Sequence, residues 1–156
     1  SAMDVDEMAG IISTKIGFVC QSFPLIPRLT AVENVEMPIV LAGIHPKERS
    51  NMVNFALERV GLTDRSDHRP EQLSGGQRQR VAIARSIVME PDVLLADEPT
   101  GNLDSTSGKE VVKLIEELNL SGLTLIVVTH DREMGERSNR LIRLKDGKVI
   151  TDQSNT

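Results

Sequence analysis

Three apolar runs in this sequence end in polar side chains whose types suit the handling of a charged phosphate. Four such residues follow the runs: Gln21, Asp97, Glu98 and His130. Carboxylates can hold Mg²⁺ or take a proton from an attacking water, and an imidazole N–H can stabilise developing negative charge. In a parallel α/β sheet the carboxyl ends of the strands meet at one edge. We therefore expect these four side chains to face a single ligand.

A second candidate site lies where a predicted helix begins, at the tetrapeptide Ser74–Gln77. Ser74 is a good N-cap, and Gln77 three residues later completes a capping box. The residues between them, Gly75 and Gly76, each cost a helix about 1 kcal/mol relative to alanine, which indicates that the backbone must approach something closely. A helix N-terminus attracts anions, above all phosphate. An ordinary capped helix accounts for the serine and the glutamine equally well.

Each candidate residue also has an ordinary structural explanation. Asp97 and Glu98 could be two surface acids where the chain leaves the sheet, and His130 could be a satisfied histidine at a strand end. Asp104 suits the N-cap of the next helix. Cys20 is most simply a small core residue. Chemistry is favoured because several such residues follow neighbouring strands, not because any one of them is diagnostic.

Strand-like and helix-like patterns alternate along the chain, which indicates an α/β fold with a parallel sheet. The predicted strands cover residues 15–20, 93–96 and 124–129, with a hairpin of residues 141–144 and 148–150 around Asp146 and Gly147. The predicted helices cover residues 30–40, 46–60, 77–88 and 107–120, with a weak helical turn at best between residues 4 and 14.

Two of these elements carry a prediction about burial. The run Val93–Ala96 is apolar throughout, so we expect that strand to be buried on both faces. The helix at residues 46–60 is expected to turn four apolar side chains towards the core: Met52, Phe55, Ala56 and Val60.

Composition argues against several classes of function. Of the 156 residues, 39% are hydrophobic and 26% are charged, which is ordinary for one globular domain. The net charge of −5 and the absence of Trp and Tyr argue against nucleic acid as a partner, because phosphate backbones need a basic surface and bases need aromatic platforms. The single Cys20 permits no internal disulfide and suits a reducing compartment. No apolar run reaches the roughly 18 residues of a membrane helix, and no signal peptide is recognised.

Five motifs, in the expected order, resemble the ATP-binding subunit of an ABC transporter. They are residues 15–21, 73–77, 92–100, 101–104 and 124–130. Residues 23–35 are most similar to the lipoprotein-release and macrolide-export branch of that family. The resemblance implies an α/β P-loop NTPase fold of the ABC type, with a RecA-like parallel sheet core and a helical subdomain. The helical and signature subdomain is expected at about residues 22–90, and the catalytic sheet core at about residues 15–21 and 91–150.

The resemblance also implies ATP and Mg²⁺ as ligands and gives a role to each strand-end residue. Asp97, acting through water, and Gln21 are expected to hold Mg²⁺. Glu98 is expected to be the general base that activates the attacking water, and His130 is expected to contact the γ-phosphate.

The partners implied by the resemblance are a second ATP-binding subunit and a transmembrane permease subunit. In the family, Ser74–Gln77 binds the γ-phosphate of ATP held by the opposing subunit of a head-to-tail dimer, here expected to be a homodimer. Asp104 lies in the segment that crosses that interface. Residues 23–44 are where the family docks on the permease, although simple core packing also explains that span. The expected location is cytoplasmic, peripheral on the inner face of the cell membrane.

One part of the family's pattern is absent from these 156 residues. The phosphate-binding loop, Gly-x-x-x-x-Gly-Lys-Ser/Thr, should precede Gln21, yet Ser1–Thr14 holds one glycine and no Gly-Lys pair. We expect an N-terminally truncated domain that by itself binds ATP poorly and does not turn it over. In the family the lost strand lies beside the strand at residues 124–129, so we also expect bare strand edges, exposed apolar surface and self-association. Ser1–Met3 is interpreted as a cloning remnant.

Two other functions remain open at this point. The chain could be a non-hydrolytic interaction module that docks on a membrane partner and lends its Ser74–Gln77 segment to an intact subunit. It could also belong with the chromosome-maintenance or translation-factor relatives of the family, which act on nucleic acid. The absence of coiled-coil heptads between residues 21 and 73 argues against the first of these relatives, and the single copy of each motif argues against the second.

Overall fold

A computed structural model describes residues 4–22 and 25–155 of this chain. Ser1–Met3, interpreted above as a cloning remnant, lie outside the described residues, as do Phe23 and Pro24 near the start of the span expected to dock on a permease. The helices, in chain order, are α1 (Val5–Lys15), α2 (Ala31–Leu41), α3 (Pro46–Arg59), α4 (Gly75–Ile87), α5 (Ser105–Leu120) and α6 (Arg132–Glu136). The strands are β1 (Ile16–Cys20), β2 (Val93–Asp97), β3 (Thr124–Val128), β4 (Arg140–Lys145) and β5 (Lys148–Ser154).

Strands β1, β2 and β3 form a parallel sheet with β2 in the middle. Helices connect them, as parallel strands require, and this confirms the predicted α/β class. Strands β4 and β5 form a separate antiparallel hairpin. Its turn residues Asp146 and Gly147 both have positive φ, at 51° and 73°, as the Asp-Gly pair predicts.

The core lies between one face of the sheet and the helices. Its fully buried side chains come from β1 and β2, from α2 and α3, and above all from α4 and α5: Val19, Leu94, Val35, Ile39, Leu57, Val81, Ile83, Ala84, Val111 and Ile115. The apolar positions of α4 that repeat at helical spacing all face this core. Helix α4 therefore joins the sheet layer to the helical layer.

The N-terminal helix α1 contradicts the prediction of a weak helical turn at best. Eleven residues, Val5–Lys15, are helical and lead directly into β1. Gly10 and the β-branched residues that follow it have low helix propensity and conceal the helix in the sequence. Local contacts support it: Thr14 Oγ1 donates to the Gly10 carbonyl at 2.9 Å, and the Lys15 ammonium lies 3.3 Å from the Asp92 carboxylate.

Two expectations about burial are wrong in part. Strand β2 buries Leu94 and Ala96, whereas Leu95 on the other face is only half-buried. At α3 the predicted burial of Ala56 and Val60 is confirmed and Met52 is partly buried against the core, but Phe55 is 50% exposed. Phe55 instead lies beside the Arg59 guanidinium, 5.7 Å from its ring centroid, which is a cation–π contact on the surface.

The second face of the parallel sheet is open and apolar. Phe18 of β1 is 59% exposed, and Ile126 and Val128 of β3 are 49% and 60% exposed. Among residues 4–22 and 25–155, strand β3 is paired on one side only, with β2. These observations agree with the expected exposure of apolar surface next to residues 124–129, and self-association through that surface stays a prediction.

Candidate functional site

The register of the parallel sheet brings the three strand ends to one edge. Asp97 pairs with Cys20 of β1 on one side and with Val128 of β3 on the other. Gln21 and Glu98 therefore leave the sheet at the same level, and Thr129 and His130 follow β3 beside them. The expectation that the polar strand-end residues come from neighbouring strands is confirmed by this register.

Glu98 and His130 are in direct contact. The Nδ1 atom of His130 lies 2.5 Å from Glu98 Oε1, and the backbone N–H of His130 donates to the same oxygen at 2.8 Å. The Thr129 hydroxyl donates to Glu98 Oε2 at 3.2 Å and accepts from the backbone N–H of Asp131 at 3.0 Å. Because that N–H occupies the Thr129 oxygen as an acceptor, the hydroxyl proton is directed towards Glu98.

Glu98 and His130 each stabilise the charged form of the other. Desolvation raises the pKa of Glu98, but the hydrogen bonds from His130 and Thr129 together outweigh it and leave the pKa below its ordinary value. The hydrogen bond and charge of Glu98 raise the pKa of His130. The side chain of Glu98 is 21% exposed and that of His130 is 84% exposed, so the imidazole lies at the surface of the site.

Glu98 has a left-handed backbone conformation, with φ of 46°. This region is uncommon for residues other than glycine and is often found at functional sites. The turn that contains it is fixed by two backbone hydrogen bonds: Glu98 N–H donates to the Val128 carbonyl at 2.8 Å, and Gly101 N–H donates to the Glu98 carbonyl at 3.0 Å. This turn aims the carboxylate at the end of β3.

Gln21 lies against the segment that follows Glu98. Its Nε2 atom is 3.4 Å from Asn102 Oδ1, and Asn102 Nδ2 donates to the Gln21 carbonyl at 3.1 Å. A Cβ atom added to Gly101 would lie only 2.5 Å from Gln21 Nε2, so a larger residue there would displace the Gln21 amide. Gln21 is therefore held beside the strand-end cluster through the turn at residues 98–102.

Asp97 offers an exposed carboxylate at the tip of β2. Within the residues that the structure describes, no group of three or more His, Cys, Asp and Glu side chains is arranged to hold a metal ion. Mg²⁺ is ordinarily held by one or two protein oxygens together with substrate phosphates and water. The Asp97 carboxylate and the Gln21 amide oxygen follow neighbouring strands and are donors that fit that kind of site.

The start of α4 has the predicted capping box. Gln77 N–H donates to Ser74 Oγ at 3.2 Å, and Ser74 N–H donates to Gln77 Oε1 at 2.9 Å. Ser74 is exposed, so this end of the helix faces outwards. Gly76 is buried, and a Cβ atom added there would lie 2.9 Å from the Cβ of Ser107. Close packing on α5 thus accounts for the second glycine in this structure.

Asp104 caps α5, which is the structural role that the sequence suggested. Its carboxylate accepts from the N–H groups of Thr106 and Ser107 at 3.1 and 3.0 Å. The hydrogen bonds from Ser107 hold the pKa of Asp104 below its ordinary value. The cap leaves open the further role at a subunit interface.

Three residues of the site were not predicted from the sequence. Thr129 and Asn102 hold Glu98 and Gln21, and Gln79 of α4 donates from Nε2 to the Pro99 carbonyl at 2.8 Å. Gln79 could have been noticed, because it lies one helical turn after Gly76 and one before Ile83, in line with the buried face of α4. Thr129 and Asn102 are ordinary polar loop residues whose partners are distant in sequence.

The family model described as "ABC transporter" matches residues 3–101 of this chain. This chain belongs to the ABC transporter family. A macrolide export ATP-binding/permease protein MacB of Rhodopseudomonas palustris is 48% identical over 154 residues, which is 99% of this chain and 24% of the relative. An uncharacterized ABC transporter ATP-binding protein of Thermotoga maritima is 51% identical over 96% of this chain and 64% of its own length.

Solved structures of ABC cassettes have the same fold. The dimeric, post-hydrolysis structure of the ATP-binding cassette MJ0796, bound to ADP and Pi, superposes with a TM-score of 0.82 at 43% identity, covering 97% of this chain and 68% of that one. The fold is therefore that of an ABC ATPase, with an α/β architecture of the P-loop NTPase type. The chain spans about a quarter of the length of the MacB relative and 64% of the Thermotoga protein.

The helices of the described residues are too short or too polar to cross a bilayer. The boundary between a helical subdomain at about residues 22–90 and a sheet core at about residues 15–21 and 91–150 stays a prediction.

Proposed function

We propose that this chain is part of the ATP-hydrolysing subunit that drives an ABC transporter for export or lipoprotein release. The observation that supports this function most directly is the contact between Glu98 and His130 at aligned strand ends. An acid and an imidazole placed together at the carboxyl edge of a parallel sheet can act on one phosphate. MacB relatives are described as ATP-binding/permease proteins, and the similar cassette MJ0796 binds ADP and Pi, which agrees with this chemistry.

Glu98 is the general base in this proposal. Its Oε1 atom accepts two hydrogen bonds from His130, whereas Oε2 accepts one from Thr129, so Oε2 retains room for a hydrogen bond from water. A base must lie within hydrogen-bond reach of the proton that it takes. Water bound at Oε2 would lose its proton to the carboxylate while its oxygen attacks the γ-phosphorus. The bond from the γ-phosphorus to the oxygen that bridges the β- and γ-phosphates would break, with ADP as the leaving group.

His130 stabilises the phosphate in this proposal. Its Nδ1 atom is engaged with Glu98, which leaves Nε2 to face the substrate. The raised pKa of His130 favours the imidazolium form, in which both ring nitrogens donate. The exposed position of the ring allows Nε2–H to reach a γ-phosphate oxygen.

Asp97, through water, and Gln21 are the protein groups that would hold Mg²⁺. When bound, Mg²⁺ would neutralise charge on the β- and γ-phosphate oxygens. The contact between Gln21 and Asn102 would keep the amide of Gln21 near that ion.

The complete site needs a second subunit. Ser74 is exposed at the start of α4, where the positive end of the helix dipole lies, which suits the γ-phosphate of ATP held by an opposing copy. Asp104 would lie at that interface. Residues 23–44 would contact a transmembrane permease subunit, with the ATP-binding part on the cytoplasmic face of the membrane. Similar cassettes form dimers, which supports this arrangement.

The test compares this chain with a version restored at its front end by a Gly-x-x-x-x-Gly-Lys-Ser/Thr segment. That segment would supply three hydrogen bonds to phosphate, each contributing about 1.5–3 kcal/mol. Without them, the chain alone should bind Mg-ATP at least about a thousandfold more weakly than the restored version. Calorimetry measures the affinity, and phosphate release measures turnover. In the restored version, Glu98→Gln should abolish turnover and retain binding. Micromolar binding by the unrestored chain, or full turnover by the Glu98→Gln variant, would refute the proposal.

A second candidate function is a non-hydrolytic module that lends Ser74–Gln77 to an intact subunit. It is favoured by the complete capping box at an outward-facing helix start. Adding this chain to an intact subunit should then increase ATP binding, and Ser74→Arg should remove that increase. Glu98→Gln in this chain should leave the increase unchanged if the role is purely structural.

A further inference from the structure

Two polar side chains are completely buried in the part of the chain that the structure describes: Asn34 and Gln79. Asn34 is fully used. Its Nδ2 atom donates to the carbonyls of Ile26, Leu29 and Thr30, and its Oδ1 atom accepts from the Ile26 N–H. Asn34 thus has the satisfied pattern that is expected of a structural residue, since it fastens the preceding loop to α2.

Gln79 does not have that pattern. Its Nε2 atom donates to the Pro99 carbonyl at 2.8 Å, but its Oε1 atom has no hydrogen-bond donor among the described residues. An unsatisfied buried oxygen destabilises a fold, and an apolar side chain of the same length would avoid that cost. The unpaired Oε1 is thus a cost of having an amide at this position, whereas the donor Nε2 satisfies the carbonyl of Pro99, a buried residue. The hydrogen bond to Pro99 is the interaction that glutamine provides and an apolar residue would not.

That hydrogen bond joins α4 to the turn that carries Glu98. Pro99 directly follows Glu98, whose φ is 46°. The two backbone bonds described above tie the turn to β3 and to itself, and Gln79 ties it to α4. An unfavourable backbone conformation persists only when its surroundings hold it in place. Releasing the Pro99 carbonyl would allow the turn to relax, and the carboxylate would leave the Thr129 and His130 donors.

We propose that Gln79 is a positioning residue for Glu98: its side-chain amide holds the Pro99 carbonyl, and thereby keeps the Glu98 carboxylate on the His130 N–H. The significance of this role for catalysis rests on the proposed function of Glu98. Gln79 lies on α4, the helix that Ser74 caps. The hydrogen bond to Pro99 therefore connects the helix proposed to face an opposing subunit with the turn that carries the base.

The test is amide hydrogen exchange on the nucleotide-free chain, followed by NMR. The His130 amide donates to Glu98 Oε1, so its protection from exchange reports where that carboxylate lies. Gln79→Met keeps the length and volume of the side chain and removes the amide donor. We expect the protection of the His130 amide to fall about tenfold, while the β2–β3 ladder and α4 keep theirs. Unchanged protection of His130 in a folded Gln79→Met variant overturns the proposal.

Ile83→Val is the matched control, because Ile83 is equally buried one turn further along α4. It removes core packing without removing a hydrogen-bond donor, and it should leave the His130 amide protected. A similar loss of protection at the His130 amide in both variants would show a general loosening of the fold, and it would overturn the specific role of Gln79. If Gln79→Met does not fold, the side-chain amide protons of Gln79 in the unmodified chain decide the question. They should exchange slowly, and exchange at the rate of a free glutamine overturns the proposal.

Because amide hydrogen exchange is measured without nucleotide, its result does not depend on the proposed function. A failure of the exchange test leaves ATP hydrolysis by the restored version untouched. A restored version without ATPase activity would remove the catalytic meaning of Glu98 and leave the exchange result standing.

Discussion

The start of α4 and the strand ends around Glu98 both present groups that suit phosphate, but they are held in opposite ways. The start of α4 is held by local contacts, since Ser74 and Gln77, three residues apart, exchange two hydrogen bonds. The strand-end cluster depends on long-range contacts: Glu98 bonds to residues about thirty positions later, and Gln21 contacts Asn102, which is 81 positions away. The helix start can therefore form whenever α4 forms, whereas the cluster requires the whole sheet.

The largest expected effect tests this dependence on the sheet. Leu94 is fully buried in β2, between its neighbours in β1 and β3. Leu94→Ala should reduce the free energy of unfolding by about 2–5 kcal/mol, because it removes buried apolar surface and leaves a cavity. Urea denaturation measures the change. Leu41→Ala, at an 81% exposed position, is the control and should change it by less than about 0.5 kcal/mol. Equal losses of unfolding free energy in the two variants would contradict the burial of β2 in the core.

A smaller effect is expected at the capping box that starts α4. Ser74→Ala removes the side-chain acceptor for the Gln77 N–H and should lower the free energy of unfolding by about 1 kcal/mol. The His130 amide should remain protected, because the cluster does not depend on that cap. Ser50→Ala is a matched control at an exposed position inside α3, where alanine is a better helix former and no loss is expected. Loss of stability at Ser50 but not at Ser74 would count against the cap.

The smallest effect concerns charge within the cluster. The pKa of His130 is raised by the hydrogen bond and charge of Glu98, and Glu98→Gln should lower it, as an NMR titration of the imidazole would show. The raised His130 pKa gives stability that is present below pH 6.5 and is lost as the pH rises through the folded value. The lowered Glu98 pKa gives stability that is present above pH 4.5 and is lost as the pH falls through the folded value. The pair is thus strongest between these limits, and an identical His130 titration in both proteins would refute the contact.

The same contrast explains how much the sequence could predict. The capping box at Ser74, the cap at Asp104 and the Asp146-Gly147 turn are governed by neighbouring residues, and all three are present. The alternation of elements predicted the parallel sheet. The partner of Gln79 could not be predicted, because the Pro99 carbonyl is reached only after α4 packs against the turn that follows β2. Helix α1 was missed because its residues have weak helix propensity, and because the partner of Lys15, Asp92, is distant in sequence.

The direction of Phe55 shows a second limit of periodicity. Helical spacing places Met52, Phe55 and Ala56 near one another on α3, but it does not say where the buried stripe ends. The structure places that edge between Ala56, which is buried, and Phe55, which is half-exposed next to Arg59. A large apolar side chain at the border of a helix face can be stabilised by a cation instead of by the core.

The positive φ of Glu98 decides which substitutions at this position can be interpreted. Glycine would relieve the backbone and alanine would keep its strain, yet both delete the carboxylate, so changes of opposite sign would be mixed in one measurement. A collection of variants selected for heat resistance could accumulate glycine at residue 98 and lose the proton acceptor at the same time. Glutamine retains the side-chain shape and a comparable backbone cost, which makes it the replacement that isolates the chemistry of the acid.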